Sequence, residues 1–174
     1  TPIQTPMSEE APVFLVNPYV DPVVIRINGR ANYLNSGPLR EFFAMLSGQG
    51  RKRILVDFRN CISVDSTFLG IVAGAALELA EMEPPGEMML AAMSPRNLEL
   101  VRNLGLHRLS RIVDDAPAPD CDEALSKDRM EKDERVRMIL DAHSKLIKCD
   151  EANAERFQDV ITFMRKRVGS SEVE

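Results

Sequence analysis

Asp65-Ser66-Thr67 places a carboxylate and two hydroxyls where a strand-like run gives way to a helical one. The first turn of a helix leaves backbone N–H groups unpaired, and the helix dipole adds positive character there, so an anion is favoured. A phosphate on Ser66 would be chemically at home and would add about −1.5 to −2 charge beside Asp65. Asp65 or Ser66 can equally serve as the helix cap, and the two roles are compatible. Other candidates offer less. His107 and His143 have no Cys, His or carboxylate at ligand spacing, so no metal is expected. Cys61 has no identifiable base, and Asp57 with Asp65 does not form a recognisable glycosidase pair. Arg51-Lys52-Arg53 follows Gly48-Gln49-Gly50 without the Gly-Lys-Ser/Thr of a phosphate loop and reads as a solvated turn. No catalytic residue, no cofactor and no enzymatic activity are expected.

The elements that must position Ser66 alternate along the chain. Val13–Val16, Val23–Ile27, Ile54–Phe58, Met88–Met93 and Ile112-Val113 read as strands, the second ending in the turn signal Asn28-Gly29. Between them, Asn35-Ser36-Gly37-Pro38 starts a helix carrying Leu39, Phe42, Phe43 and Leu46 at helical spacing. A second helix runs from Phe68 to about Met82 and stops at Glu83-Pro84-Pro85-Gly86. Within it, Ala73-Gly74-Ala75-Ala76 allows close approach to the sheet or to another helix. A third helix, capped by Ser94-Pro95, covers Asn97–Asn103 and ends at Gly105. This alternation predicts an α/β fold: a mixed, largely parallel sheet with helices packed on it.

Pro117-Ala118-Pro119 breaks the pattern. From Asp120 to Val168 there is no glycine or proline, and Asp120 with Glu123 fits a capping box. Apolar positions from Val136 to Val168 recur with a period near 3.5 and are interrupted at His143 and Asp150. One long helix or a hairpin folding back between Lys148 and Asn153 fits, and helix length favours the hairpin. The expected divisions are a disordered segment 1–10, a domain 11–116, a helical appendage 117–168 and a frayed tail 169–174.

The 174 residues carry 22 basic and 27 acidic side chains, net −5, with a pI near 5.2. Such a chain has no global attraction to nucleic acid or anionic lipid. With 44% apolar and 28% charged residues the balance is globular. The apolar run Phe68–Leu77 is about half of the roughly 20 residues that span a bilayer, and the N-terminus lacks a secretory pattern. Neither membrane insertion nor direct nucleic-acid binding is expected. Three cysteines without any CxxC point to a reducing cytoplasm.

The chain resembles the STAS family, the anti-sigma factor antagonists and their relatives. The strand Ile54–Phe58 leads through Asn60 into Asp65-Ser66-Thr67-Phe68-Leu69-Gly70, which looks like the family's Asp-Ser-Ser/Thr-Gly-Leu-Gly element. Ser94-Pro95-Arg96 through Leu104-Gly105-Leu106 is similar to the family's last helix and its Leu-Gly-Leu close. The likeness spans about residues 11 to 115. Phe68 stands where glycine is usual, and Asn32 where many members carry an aspartate. Phe68 can plug the site, join a docking patch or point into the core.

The resemblance implies that Ser66, or alternatively Thr67, is phosphorylated by a partner kinase that is also the anti-sigma factor. Docking would use Asn32, Asn60, Asp65, Ser66, Thr67, Phe68, Leu69 and Gly70. An alternative is a STAS scaffold or a transporter-associated subunit without phosphate turnover. The appendage lies outside the resemblance. It can cover a sheet face or edge, form a homodimer through its stripe, or occupy the docking surface until a partner displaces it.

Overall fold

The computed structural model describes residues 11–115 and 120–173. Strands β1 (Phe14–Asn17), β2 (Val23–Ile27), β4 (Arg53–Asp57), β6 (Glu87–Ala91), β7 (Arg111–Val113) and β8 (Glu123–Ala124) form one sheet, in the order β7-β6-β4-β2-β1-β8. The run from β2 through β4 and β6 to β7 is parallel, while β1 is antiparallel to both of its neighbours. Val, Ile, Leu and Met fill the central strands almost without interruption, as a sheet buried on both faces requires. Two short strands, β3 (Gly29–Ala31) and β5 (Cys61–Val64), pair separately as a parallel ribbon.

Alternation along β2 divides the core. Val23, Ile25 and Ile27 face the helical layer, together with Leu39, Phe42 and Leu46 of α1 (Gly37–Gly48) and Val72 and Leu79 of α2 (Ser66–Ala80). Val24 points the other way, with Leu55, Met89 and Ala91, and meets Cys121. On that second face Arg26 and Asp57, register partners on β2 and β4, form a 3.0 Å ion pair. Helix α3 (Pro95–Asn103) is capped by the Ser94 hydroxyl, and a short 3-10 turn, Leu106–Arg108, follows it.

Helices α4 (Lys132–Cys149) and α5 (Ala152–Val173) form a hairpin that reverses at Asp150. Met138, Ala142 and Leu146 of α4 and Phe157 and Ile161 of α5 join the main core. Asp150 caps the reversal by accepting from Ala152 N–H. The hairpin's corner is fixed by Asn153, whose buried amide donates to the carbonyls of Leu104 and Leu146 at 2.9 and 2.7 Å. Gly105 makes that approach possible: its φ is +84°, and a Cβ there would sit 2.8 Å from the Asp150 Cβ.

Three expectations are corrected. Asp120–Glu123 does not start a helix: Glu123-Ala124 is a strand on β1, held by hydrogen bonds from Tyr19 to Glu123 and from Asn17 to the Asp120 carbonyl. Strand pairing outcompetes the local capping signal, and the helix begins at Lys132 instead. Strand β2 does end at Ile27 before Asn28-Gly29, with Gly29 at a φ of +95°. Gly29–Ala31 and the run Cys61–Val64 before Asp65, however, are not loops: they pair as the ribbon strands β3 and β5. Helix α5 continues past Gly169 to Val173, because no residue there forbids helical backbone. Residues 1–10 and the Pro117-Ala118-Pro119 break lie outside the described residues.

The connection into α4 is anchored by Asp128. Its carboxylate accepts from Gly37 N–H at the start of α1, from Met130 N–H and from Arg135. Burial opposes ionisation of this carboxyl, but the hydrogen bonds from Arg135, Met130 and Gly37 outweigh it and hold the carboxyl below its usual 3.8. A depressed folded pKa gives stability that is present above the unfolded value and lost as pH falls through the folded one. Asp128→Asn is therefore expected to cost about 1–3 kcal/mol at neutral pH. Urea midpoints measured from about pH 5 down to pH 2 should fall less steeply for the variant than for the parent protein.

Candidate functional site

Ser66 sits at the first helical position of α2, where β5 ends. Asp65 is the N-cap: its backbone is extended, and its side chain accepts from Phe68 N–H at 2.9 Å. The second Asp65 oxygen accepts from Tyr33 N–H at 2.9 Å, which ties the cap to the loop between β3 and α1. Asp65 N–H donates to the Ala31 carbonyl, so the β3–β5 ribbon delivers Asp65 and Ser66 together to one end of the molecule. Both residues are half-buried.

The Ser66 hydroxyl lies 2.9 Å from Nε2 of His143 on α4. His143 Nδ1 is 2.7 Å from the Ile139 carbonyl, an oxygen that can only accept. Nδ1 therefore carries a proton, and in the neutral ring Nε2 accepts from the Ser66 O–H. The imidazole is buried, 3% exposed, with the Phe157 ring edge-on at 4.8 Å. Sequence reasoning noted His143 as a break in the stripe and as a histidine without metal-ligand spacing. No local signal links it to Ser66, since the contact spans 77 positions.

The remaining expected site residues divide clearly. Thr67, Phe68 and Leu69 face inward at 4%, 0% and 0% exposure, so none of them presents a side chain to a docking partner. Of the three roles open to Phe68, the structure assigns the core: its ring stacks on Phe14 and meets Phe58 edge-on, each at 6.2 Å. Gly70 lies beneath α4, where a Cβ would come 2.2 Å from the Ala142 carbonyl oxygen. Asn32 is beside the site, its carboxamide accepting from Leu34 N–H within the loop that holds Asp65. Asn60 is not: it stands at the other end of β5, bonded to Asn28.

The Ser66–His143 pair has a nucleophile's geometry. Of two cavities among the described residues, one is lined by Gly37 and Asp128 and the other by Arg40, Gly70, Gly74 and Asp141, and neither is lined by Ser66 or His143. Burial pushes the thiols of Cys61 and Cys149 up to about 11 and raises that of Cys121, so none is a ready nucleophile near neutral pH. No cluster of metal-ligating side chains occurs among the described residues. None of the described helices is long and apolar enough to cross a membrane.

No family model matches the chain, and no curated protein does. Solved structures do. A crystal structure from Thermotoga maritima, assigned as an anti-sigma factor antagonist, superposes with a TM-score of 0.50 at 20% identity, covering 58% of this chain and 86% of that one. The anti-sigma factor antagonist SpoIIAA in its unphosphorylated form gives 0.49 at 24% identity over 60% of this chain and 89% of its own. The phosphorylated form of SpoIIAA, a Bacillus cell fate determinant, gives 0.49 at 24%, covering 60% and 91%. The fold is that of a STAS domain.

Proposed function

We propose that this protein is a cytoplasmic binding module of the anti-sigma factor antagonist type, and not an enzyme. Ser66 is its regulated phosphoacceptor, and a kinase-type anti-sigma factor is its partner. The observation that carries the reading is the placement of the Ser66 hydroxyl at the first turn of α2, behind the Asp65 cap. There the helix N-terminus favours an added anion, and two charges change a docking surface sharply. Thr67 is a poor second acceptor, since its side chain is buried.

A second reading is favoured by one observation, the His143 imidazole closing over Ser66. In it the protein is a STAS scaffold without phosphate turnover, and Ser66 is a structural contact.

Intact mass with and without phosphatase, on protein from its own cells, separates the two, followed by peptide mapping across Asp57–Glu78. The expected result is one phosphate on Ser66, absent in Ser66→Ala, with Ser66→Asp abolishing capture of the kinase partner. No phosphate under any growth condition, together with undiminished partner capture by Ser66→Asp, would establish the scaffold.

A further inference from the structure

Helix α2 has no charged residue from Ser66 to Leu77 and is buried on nearly every side. A helix apolar all round must be covered. Its outer face is the row Ser66, Gly70, Gly74, one residue per turn, and α4 lies on that row. His143 meets Ser66, the Ala142 backbone meets Gly70, and the Lys145 stem meets Gly74. The same face carries the Ser66 hydroxyl.

We propose that the α4–α5 hairpin is a displaceable intramolecular cover, latched by His143 on Ser66, and that its closure excludes both partner docking and a phosphate on Ser66. The docking half of this inference rests on the function proposed above.

The latch explains the exclusion. His143 has committed both ring nitrogens, Nδ1 to Ile139 and Nε2 to the Ser66 proton. Phosphorylation removes that proton and places a dianion where the imidazole now sits. The charged group on α2's own end is Asp65, whose oxygens are held by Phe68 and Tyr33 N–H groups. From α4 the group on Ser66 is the His143 imidazole, backed by the Phe157 ring of α5, while Arg135 of α4 is committed to the Tyr33 carbonyl and to Asp128. A doubly charged group against a carboxylate and a buried ring is poorly solvated, and opening the hairpin relieves it.

Two further features suit a cover. The seam holds polar groups, His143 and Asn153, which water can satisfy once the hairpin lifts. The chain before α4 is held by β8 on β1 and by Asp128 on α1, so the hairpin lifts as a flap hinged between Asp128 and Lys132 while the parallel strands stay paired. Coupling of this kind is reciprocal: whatever opens the hairpin favours occupancy of Ser66, and occupancy of Ser66 favours the open form.

Amide hydrogen exchange on the full chain tests this without a partner. In the parent protein, α4 and α5 should exchange through an opening that leaves β4 and β6 protected. His143→Leu, which keeps the apolar bulk and deletes the latch, should speed exchange across Val136–Leu146 by about 3- to 10-fold. Ser66→Asp should do the same. His143→Gln, whose amide oxygen can accept from Ser66, should restore much of the protection. In all variants β4 and β6 should exchange as in the parent. If the hairpin and β4 exchange only together in every protein, or if Ser66→Asp leaves the hairpin fully protected, the cover is refuted.

This outcome is separable from the function proposed above. Independent opening with no phosphate ever found on Ser66 keeps the cover and removes the phosphoswitch. Phosphate on Ser66 with a hairpin that opens only on global unfolding does the reverse.

Discussion

Gly70→Val is expected to drive α4 off α2, at a cost of about 2–3 kcal/mol concentrated in the C-terminal hairpin. The first added carbon would lie 2.2 Å from the Ala142 carbonyl oxygen and 2.6 Å from its carbon. Both are backbone atoms inside a continuous helix, so neither can rotate aside. Either α4 moves along much of its length or the seam opens. Urea titration by circular dichroism should show a first transition, with loss of helix at low denaturant, before the sheet unfolds. One turn further on, the contrast is sharp. A Cβ at residue 74 meets only the Lys145 Cγ, at 3.3 Å, the stem of a flexible side chain. Gly74→Ala should be neutral or stabilising by up to about 1 kcal/mol through helix propensity. Equal effects at the two positions would mean that α4 does not lie on α2 as described.

Arg26→Met is expected to be the most damaging single change outside the hairpin, at about 3–5 kcal/mol. Asp57 is fully buried, and the Arg26 Nε–H donates to its Oδ2 at 3.0 Å. The other oxygen accepts from Arg59 N–H, one neutral donor for a whole charge. Removing the guanidinium leaves a carboxylate in the sheet's second core beside Val24 and Cys121. The urea midpoint should fall with little change in slope. The double variant Arg26→Met with Asp57→Leu should recover most of the loss, since an apolar pair of similar volume removes the stranded charge. A double variant as unstable as the single one would assign the cost to lost packing.

The parallel strands were legible because each is a continuous apolar run bounded by turn residues. The ribbon strands β3 and β5 were not: they are three and four residues long, and Arg30 and Ser63 break any apolar pattern. Strand β8 was hidden by a local signal for something else, and only β1, a hundred residues earlier, decides it. The hairpin was legible from the polar break at Asp150, which caps the reversal. The end of α2 was readable as an anion-favouring terminus, but what lies on it was not. Phe68 was settled by Phe14 and Phe58, and Ser66 meets His143, through contacts that no spacing rule connects. Periodicity finds elements; it does not say which face of one meets which face of another.

The cover travels on the same chain as the face it occupies. Its effective concentration at α2 is therefore set by the short stretch from Asp128, held on α1, to Lys132, where α4 begins, on the order of millimolar for a short tether. Diluting or overproducing the protein leaves the closed fraction unchanged. A partner arriving from solution competes at its own concentration, so the abundance of that partner, and not of this protein, sets the point at which Ser66 becomes available.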